Sequence, residues 1–294
     1  MNAVFRGMFL RLGILWTMQT TTYTETGAAR PLVFTDLDGT LLDHHTYRFD
    51  AASEMLEHLR GEGIPLIIVT SKTRPEVLKL QQKLKIHEPF IVENGAGAFV
   101  PSDSGLGGIP TEDPLWSRLG EGKPYGEVRQ IFAALQKRFP IRGFGDMKLD
   151  EVTERTGLEA VDAADAMRRD FTEPFIMEDV AGLDALRDAV RDAGMEMIRG
   201  GRFFHLVSPG QTKGTAVREM AARYAAHYGT PVKIIALGDS ENDFSMLEAA
   251  DRAVLIPRHD GSYADIETEG MVRAPFPGPR GWNAALKEIL DVGA

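Results

Sequence analysis

Leu32-Val33-Phe34-Thr35-Asp36-Leu37-Asp38-Gly39-Thr40 decides the fold. Three apolar residues in a row, closed by a polar turn, mark a short strand buried on both faces. The turn carries two carboxylates separated by one residue, and these repel unless a proton or a cation lies between them. Magnesium, a hard ion that prefers oxygen ligands, suits such a pair. One carboxylate can then attack phosphorus while the other manages the leaving-group proton. Gly39 permits the tight turn. Alone, the same residues are as often a solvated acidic turn, so their company decides.

From Pro31 onward, strand and helix patterns alternate, as in a parallel sheet covered on both faces. Leu66 to Val69 is a second buried strand, ending at Thr70; Phe90 to Val92 is a third. Val232 to Leu237 is another, followed by Gly238-Asp239, and Ala253 to Ile256 closes the series. Asp50 is placed to cap a helix running to Gly61 and Gly63, and Thr73 with Glu76 has capping-box spacing around Pro75. Ala216, Val217, Met220, Ala221 and Tyr224 share one face of a helix that ends near Gly229. Asp36, Thr70 and Asp239 therefore sit at strand ends, where ligands of open parallel sheets bind. The expected fold is α/β: a Rossmann-like parallel-sheet core of residues 30–95 and 206–294, interrupted by an inserted α+β cap over residues 96–205. Within that insertion, helical patterns (Val128, Ile131, Phe132, Leu135; Leu183, Leu186, Val190) alternate with short strands such as Phe203 to Val207. A cap of this kind excludes water and selects the substrate.

Three further features belong with the Asp36 turn. Gly238-Asp239-Ser240-Glu241-Asn242-Asp243 follows a strand and opens a helix, so Asp239 can complete a metal site. Asn242 and Asp243 can hold their neighbours in place, and Asn242 is also a candidate substrate contact. Lys213, at the start of a helix, can neutralise a phosphate and the charge developing on a nucleophile. Thr70 offers a hydroxyl to a phosphate oxygen, with Ser71 as the adjacent alternative. Each is individually a cap or surface charge elsewhere; all of them at strand ends of one α/β pattern are not. At the far end of the insertion, Arg202 and His205 flank the chain's return and are candidate substrate contacts, a guanidinium there being able to grip a carboxylate. His44-His45 is expected to be a solvated loop whose side chains point apart.

These motifs resemble the four motifs of the haloacid dehalogenase superfamily of phosphatases, over nearly the whole chain from Pro31, with an insertion like the large α/β cap of its Cof-like branch. Phe34 to Asp43, Ser71-Lys72-Thr73-Arg74, Pro89 to Gly95 and Gly278-Pro279-Arg280-Gly281-Trp282 are similar to mannosyl-3-phosphoglycerate phosphatases. The resemblance implies Asp36 as nucleophile, Asp38 as acid/base, catalytic roles for Thr70 and Lys213, and a Mg2+ site of Asp36, Asp38 and Asp239. It also implies mannosylglycerate, a compatible solute, as product. A phosphatase of another sugar phosphate, a phosphomutase and a non-catalytic binding protein are the alternatives, the last disfavoured because Asp36, Asp38, Lys213 and Asp239 are all present.

Composition narrows the partners. A net charge of -10 argues against nucleic acid, which needs a basic surface. A small phosphorylated molecule is the expected partner. The absence of cysteine removes disulfides, thiolate zinc sites and a thiol nucleophile, and agrees with a cytoplasmic setting. Met8 to Met18 is apolar but too short to span a bilayer, and Arg11 breaks it as a signal core. Residues 1–29 are therefore expected to be a flexible extension, with no membrane partner.

Overall fold

The computed structural model describes residues 29–120, 122–178, 182–200 and 203–292; the extension expected over residues 1–29 lies almost wholly outside them, as does Arg202. The first half of the core comprises β1 (Arg30–Thr35), α1 (Ser53–Glu62), β2 (Leu66–Val69), α2 (Arg74–Leu84) and β3 (Phe90–Val92), followed by β4 (Gly97–Pro101), β5 (Ile109–Pro110) and β6 (Trp116–Leu119). The cap comprises α3 (Tyr125–Gln136), β7 (Ile141–Gly143), α4 (Leu149–Thr156), α5 (Ala160–Ala166), β8 (Glu173–Met177), α6 (Leu183–Asp192), β9 (Glu196–Gly200) and β10 (Phe203–Val207). The core then resumes with α7 (Lys213–Tyr228), β11 (Val232–Gly238), α8 (Phe244–Glu248), β12 (Arg252–Leu255), β13 (Val272–Arg273) and α9 (Gly278–Ile289).

Among the described residues the core sheet runs β13-β12-β11-β1-β2-β3-β4-β6-β5. Strands β13 to β3 are parallel, with β1 central between β11 and β2. Apolar layers cover both faces, Leu37, Met55, Leu59, Ile68 and Trp282 on one side and Phe34, Ile67, Val217, Met220 and Leu255 on the other. This is why β1 and β2 read as unbroken apolar runs: neither face meets water.

The cap boundary expected after Gly95 falls elsewhere. Strands β4, β6 and β5 continue the core sheet in antiparallel fashion from β3. The separate sheet, β7-β8-β10-β9, takes its strands from residues 141–207. One face of that sheet buries Phe175, Leu206 and Ile141 against Val128 and Phe132 of α3 and Leu186 and Val190 of α6. The α4–α5 hairpin packs on the core side, with α5 touching α2.

Local signals explain the helix ends. Thr73 and Glu76 form the expected capping box, the Thr73 N–H donating to Glu76 Oε2 at 2.9 Å. Helix α1 stops at Gly63 and α7 at Gly229, both left-handed. Asp50 does not cap α1. Its carboxylate accepts from Arg48 Nε at 2.7 Å, and the helix starts with a single 3-10 turn instead. The His44 and His45 rings do not point apart either. They meet edge to face at 4.9 Å and both contact His259, on an exposed loop.

Candidate active site

Strands β1 and β11 lie side by side, so the residues that follow them share one crevice. Asp36 comes directly after β1 and its N–H donates to the carbonyl of Leu237 at 2.9 Å. Asp239 comes directly after β11. Gly39 is needed between them, because it adopts φ +84° and a Cβ there would lie 2.6 Å from Asp239 Oδ2. Thr40 donates its hydroxyl to Asp239 Oδ1 at 3.3 Å.

Lys213 opens α7 behind a Thr212 cap, whose hydroxyl oxygen accepts from the Thr215 N–H at 3.1 Å. Its side chain is fully buried, and Nζ donates to Asp36 Oδ1 and to Asp243 Oδ1, each at 2.6 Å. A buried ammonium held between two carboxylates has a fixed position, which a surface lysine lacks. Asp243 Oδ2 accepts from the backbone N–H groups of Asp239 and Ser240 at 3.1 Å each.

Asp36, Asp239 and Asp243 each place an oxygen within 4.8 Å of the others. Burial raises the Asp36 carboxyl well above its ordinary range, the negative charge of Asp243 adds to this, and Lys213 opposes it. Burial and then Asp243 push Asp239 up to about 7, again against Lys213. At Lys213 burial works against the charge, but Asp243 and Asp36 outweigh it and hold the ammonium above its ordinary value. Three carboxylates around one ammonium lack positive charge, and all the donors offered are oxygens. That set fits Mg2+. Asp243 is already committed on both oxygens, so within this cluster the carboxylates of Asp36 and Asp239 are the ones that could hold an ion.

Of the expected metal set of Asp36, Asp38 and Asp239, the structure brings the carboxylates of Asp36 and Asp239 together. The Asp38 carboxylate is outside the cluster; Oδ2 accepts from Lys72 Nζ at 2.9 Å, and its side chain is 40% exposed. Asp38 Oδ1 has no hydrogen-bond partner, which leaves it open to a proton. Thr70 is buried at the end of β2, and its Oγ1 accepts from the Lys72 N–H at 3.2 Å. The hydroxyl proton remains to be donated. Asn242 lies within the site, its Nδ2 donating to Asn94 Oδ1 at 3.3 Å.

His205 is not joined to this cluster. It sits on β10, opposite Pro174 and Ile198 of the neighbouring strands, and is 7% exposed. Burial, then the positive charge of Arg169, lowers it to about 3, so it is neutral and brings no charge to a substrate carboxylate. Arg202, its expected companion, lies outside the described residues.

Two further contributors lie outside the four motifs. Lys72 orients Asp38, as described. Glu93, fully buried, reaches from the core to the cap, its carboxylate accepting from the N–H groups of Asp170 at 2.7 Å and Thr172 at 2.8 Å, from Thr172 Oγ1 at 2.6 Å, and pairing with Arg169 Nε at 3.3 Å. Glu93-Asn94-Gly95 already belonged to a stretch similar to known phosphatases, which was the available signal.

Two expectations follow. Asp239→Ala should raise the Mg2+ concentration for half-maximal activity at least about tenfold, since it removes one of the carboxylates able to hold the ion; an unchanged Mg2+ titration would exclude Asp239 as a ligand. Chelated protein should also lose stability as pH rises from about 4 to 7. The folded state holds the Asp239 proton up to about 7 whereas the free carboxyl loses it near 3.8, so folding favours low pH across that window. Thermal melts in chelator at pH 5.5 and 8 read the slope, and saturating Mg2+ should flatten it.

A family model of haloacid dehalogenase-like hydrolases matches residues 33–105 and 146–258. A glucosyl-3-phosphoglycerate/mannosyl-3-phosphoglycerate phosphatase of Persephonella marina is 41% identical over 88% of this chain and 97% of its own length. A protein of the same name from Methanococcoides burtonii is 37% identical over 88% and 97%. Among solved structures, the subclass IIB sugar phosphatase BT4131 superposes with a TM-score of 0.59 at 18% identity, over 90% of this chain and 99% of its own, and so shares the fold. With this architecture and these strand-end residues, the chain belongs to the haloacid dehalogenase-like hydrolases and is a phosphoric monoester hydrolase.

Proposed function

We propose that the chain is a Mg2+-dependent phosphatase that hydrolyses glycosyl-3-phosphoglycerates through an aspartyl-phosphate on Asp36, converting mannosyl-3-phosphoglycerate to mannosylglycerate and phosphate. One observation carries the chemistry: a buried strand-end carboxylate, Asp36, paired at 2.6 Å with an immobile ammonium, Lys213. The similarity to the two glycosyl-phosphoglycerate phosphatases carries the substrate class.

In this reading an Asp36 carboxylate oxygen attacks phosphorus and the bond to the substrate's ester oxygen breaks. Asp38, steadied by Lys72, protonates that oxygen as it leaves. Asp38 then takes a proton from water, which attacks the phosphorus of the aspartyl-phosphate and releases Asp36. Lys213 balances charge on Asp36 throughout, and the Thr70 hydroxyl donates to a phosphate oxygen. Asp36 and Asp239, with Asp38 beside them, would hold Mg2+, which would neutralise charge on the phosphate. Arg202 is assigned the substrate carboxylate on sequence grounds, without a charged His205. Synthesis of a compatible solute sets this reaction in the cytoplasm.

Phosphate release from mannosyl- and glucosyl-3-phosphoglycerate, hexose phosphates and a small aryl phosphate, with and without Mg2+, tests the assignment. The glycosyl-phosphoglycerates should lead in kcat/KM by about tenfold or more, with one phosphate freed per substrate. Preference for hexose phosphates would refute the substrate class, and return of phosphate to the sugar would indicate a mutase.

A further inference from the structure

Glu93, Asn94 and Gly95 adopt φ of 53°, 60° and 96° in succession. Two non-glycine residues in the left-handed region together are costly, of order 1–3 kcal/mol each, and such strain persists where the surroundings over-determine it. The surroundings here are the motifs themselves. The Asn94 N–H donates to the carbonyl of Thr70 at 2.9 Å, and the Glu93 N–H to that of Lys72 at 3.0 Å. Gly95 lies so close to the start of α7 that a Cβ would collide with the Thr212 carbonyl, one residue before Lys213. The Asn94 side chain meets Asn242. Asn94 is thus braced at once by the residues around Thr70, Lys213 and Asp239.

The direction of its amide follows from the hydrogen bonds. Ser240 donates its hydroxyl to Asn242 Oδ1 at 2.6 Å, which turns Asn242 Nδ2 toward Asn94. Asn94 must present its oxygen to that donor. Its own Nδ2 is left with no partner, although the residue is 4% exposed. A buried amide donor without an acceptor costs about 1–3 kcal/mol, and here it belongs to a residue tied by its backbone to Thr70 at the end of β2 and by its side chain to Asn242 of the Asp239–Asp243 segment.

We propose that Asn94 is a further catalytic residue: its Nδ2 donates a hydrogen bond to a non-bridging oxygen of the transferring phosphoryl group, alongside Thr70. This rests on the phosphatase reading above and adds a phosphate ligand to it. A neutral donor suits the position, because Lys213 already supplies the charge, and Asn242 fixes the amide so that no reorientation is needed during reaction.

Asn94→Gly tests it well, since glycine accepts φ 60° and keeps the backbone bond to Thr70. Loss of a hydrogen bond to a charged group predicts a fall in kcat of roughly tenfold to a hundredfold, equal for mannosyl-3-phosphoglycerate and for p-nitrophenyl phosphate. Inhibition by orthovanadate, a phosphate mimic, should weaken by a similar factor, with the melting temperature unchanged or higher. Asn94→Asp should be worse than Asn94→Gly, because a carboxylate repels the phosphate. Activity of Asn94→Gly within threefold of wild type would overturn the proposal. So would a loss of activity with vanadate inhibition unchanged, which would make Asn94 a prop for Asn242. If wild type cleaves p-nitrophenyl phosphate but not the glycosyl-phosphoglycerates, the substrate assignment fails while the Asn94 result still stands.

Discussion

Asp36→Asn should lower turnover by at least about 10⁴-fold while the protein remains folded. The amide has the shape of the carboxylate and can still accept from Lys213, but it has no electron pair able to displace the ester oxygen. Stability should not suffer. In the wild type Asp36 is buried beside Asp243 and Asp239, and both its burial and those charges disfavour its ionised form. Removing one of three crowded charges relieves that repulsion, and Lys213 keeps Asp243 as partner. The melting temperature in chelator should therefore equal or exceed that of wild type, whereas the gain on adding Mg2+ should shrink. Phosphate release and paired melts measure both halves. Turnover within tenfold of wild type would remove Asp36 as nucleophile.

Lys213→Met should be the most destabilising single change in the site. It leaves Asp36, Asp239 and Asp243 facing one another without a cation, and breaking a buried ion pair costs about 3–5 kcal/mol. For a chain of this length that lowers the melting temperature in chelator by roughly 6–20 °C. Saturating Mg2+ should restore part of the stability but not the activity, because an ion at Asp36 and Asp239 does not reach the role of a fixed ammonium against Asp243. Combining Lys213→Met with Asp36→Asn should recover stability relative to Lys213→Met alone, since one unpaired charge has gone. A drop of less than about 3 °C in the single variant, or no recovery in the double, would mean the lysine is not balancing these carboxylates.

The core and the Asp36 turn were legible because they are written locally. Leu32 to Phe34 and Val232 to Leu237 are apolar without a break, and the acids follow at once. What escaped depends on direction in space. Nothing local says that the Asp38 carboxylate turns to Lys72, or that Asp243 is the acid facing Lys213. Trp116–Leu119 carries Ser117 and Arg118, so it lacks the apolar run that revealed the inner strands, and the extension of the core sheet passed for cap. The burial of His205 was legible in another way. In Phe203–Val207 the alternation puts His205 on the face of Phe203 and Val207, which foretells a buried ring.

Glu93 bears on how such enzymes can be re-engineered. Its carboxylate, sealed inside the protein, is solvated by amides and a hydroxyl that belong to the inserted module, at Asp170 and Thr172. A chimera built by transplanting another relative's insertion would keep the acid, and unless the incoming chain returns its amides, the Thr172 hydroxyl and Arg169 to the same places, the acid is left buried without those partners. The two halves are therefore not interchangeable parts joined by linkers. A graft that alters substrate range has to carry residues 169–172, or replace Glu93 together with them.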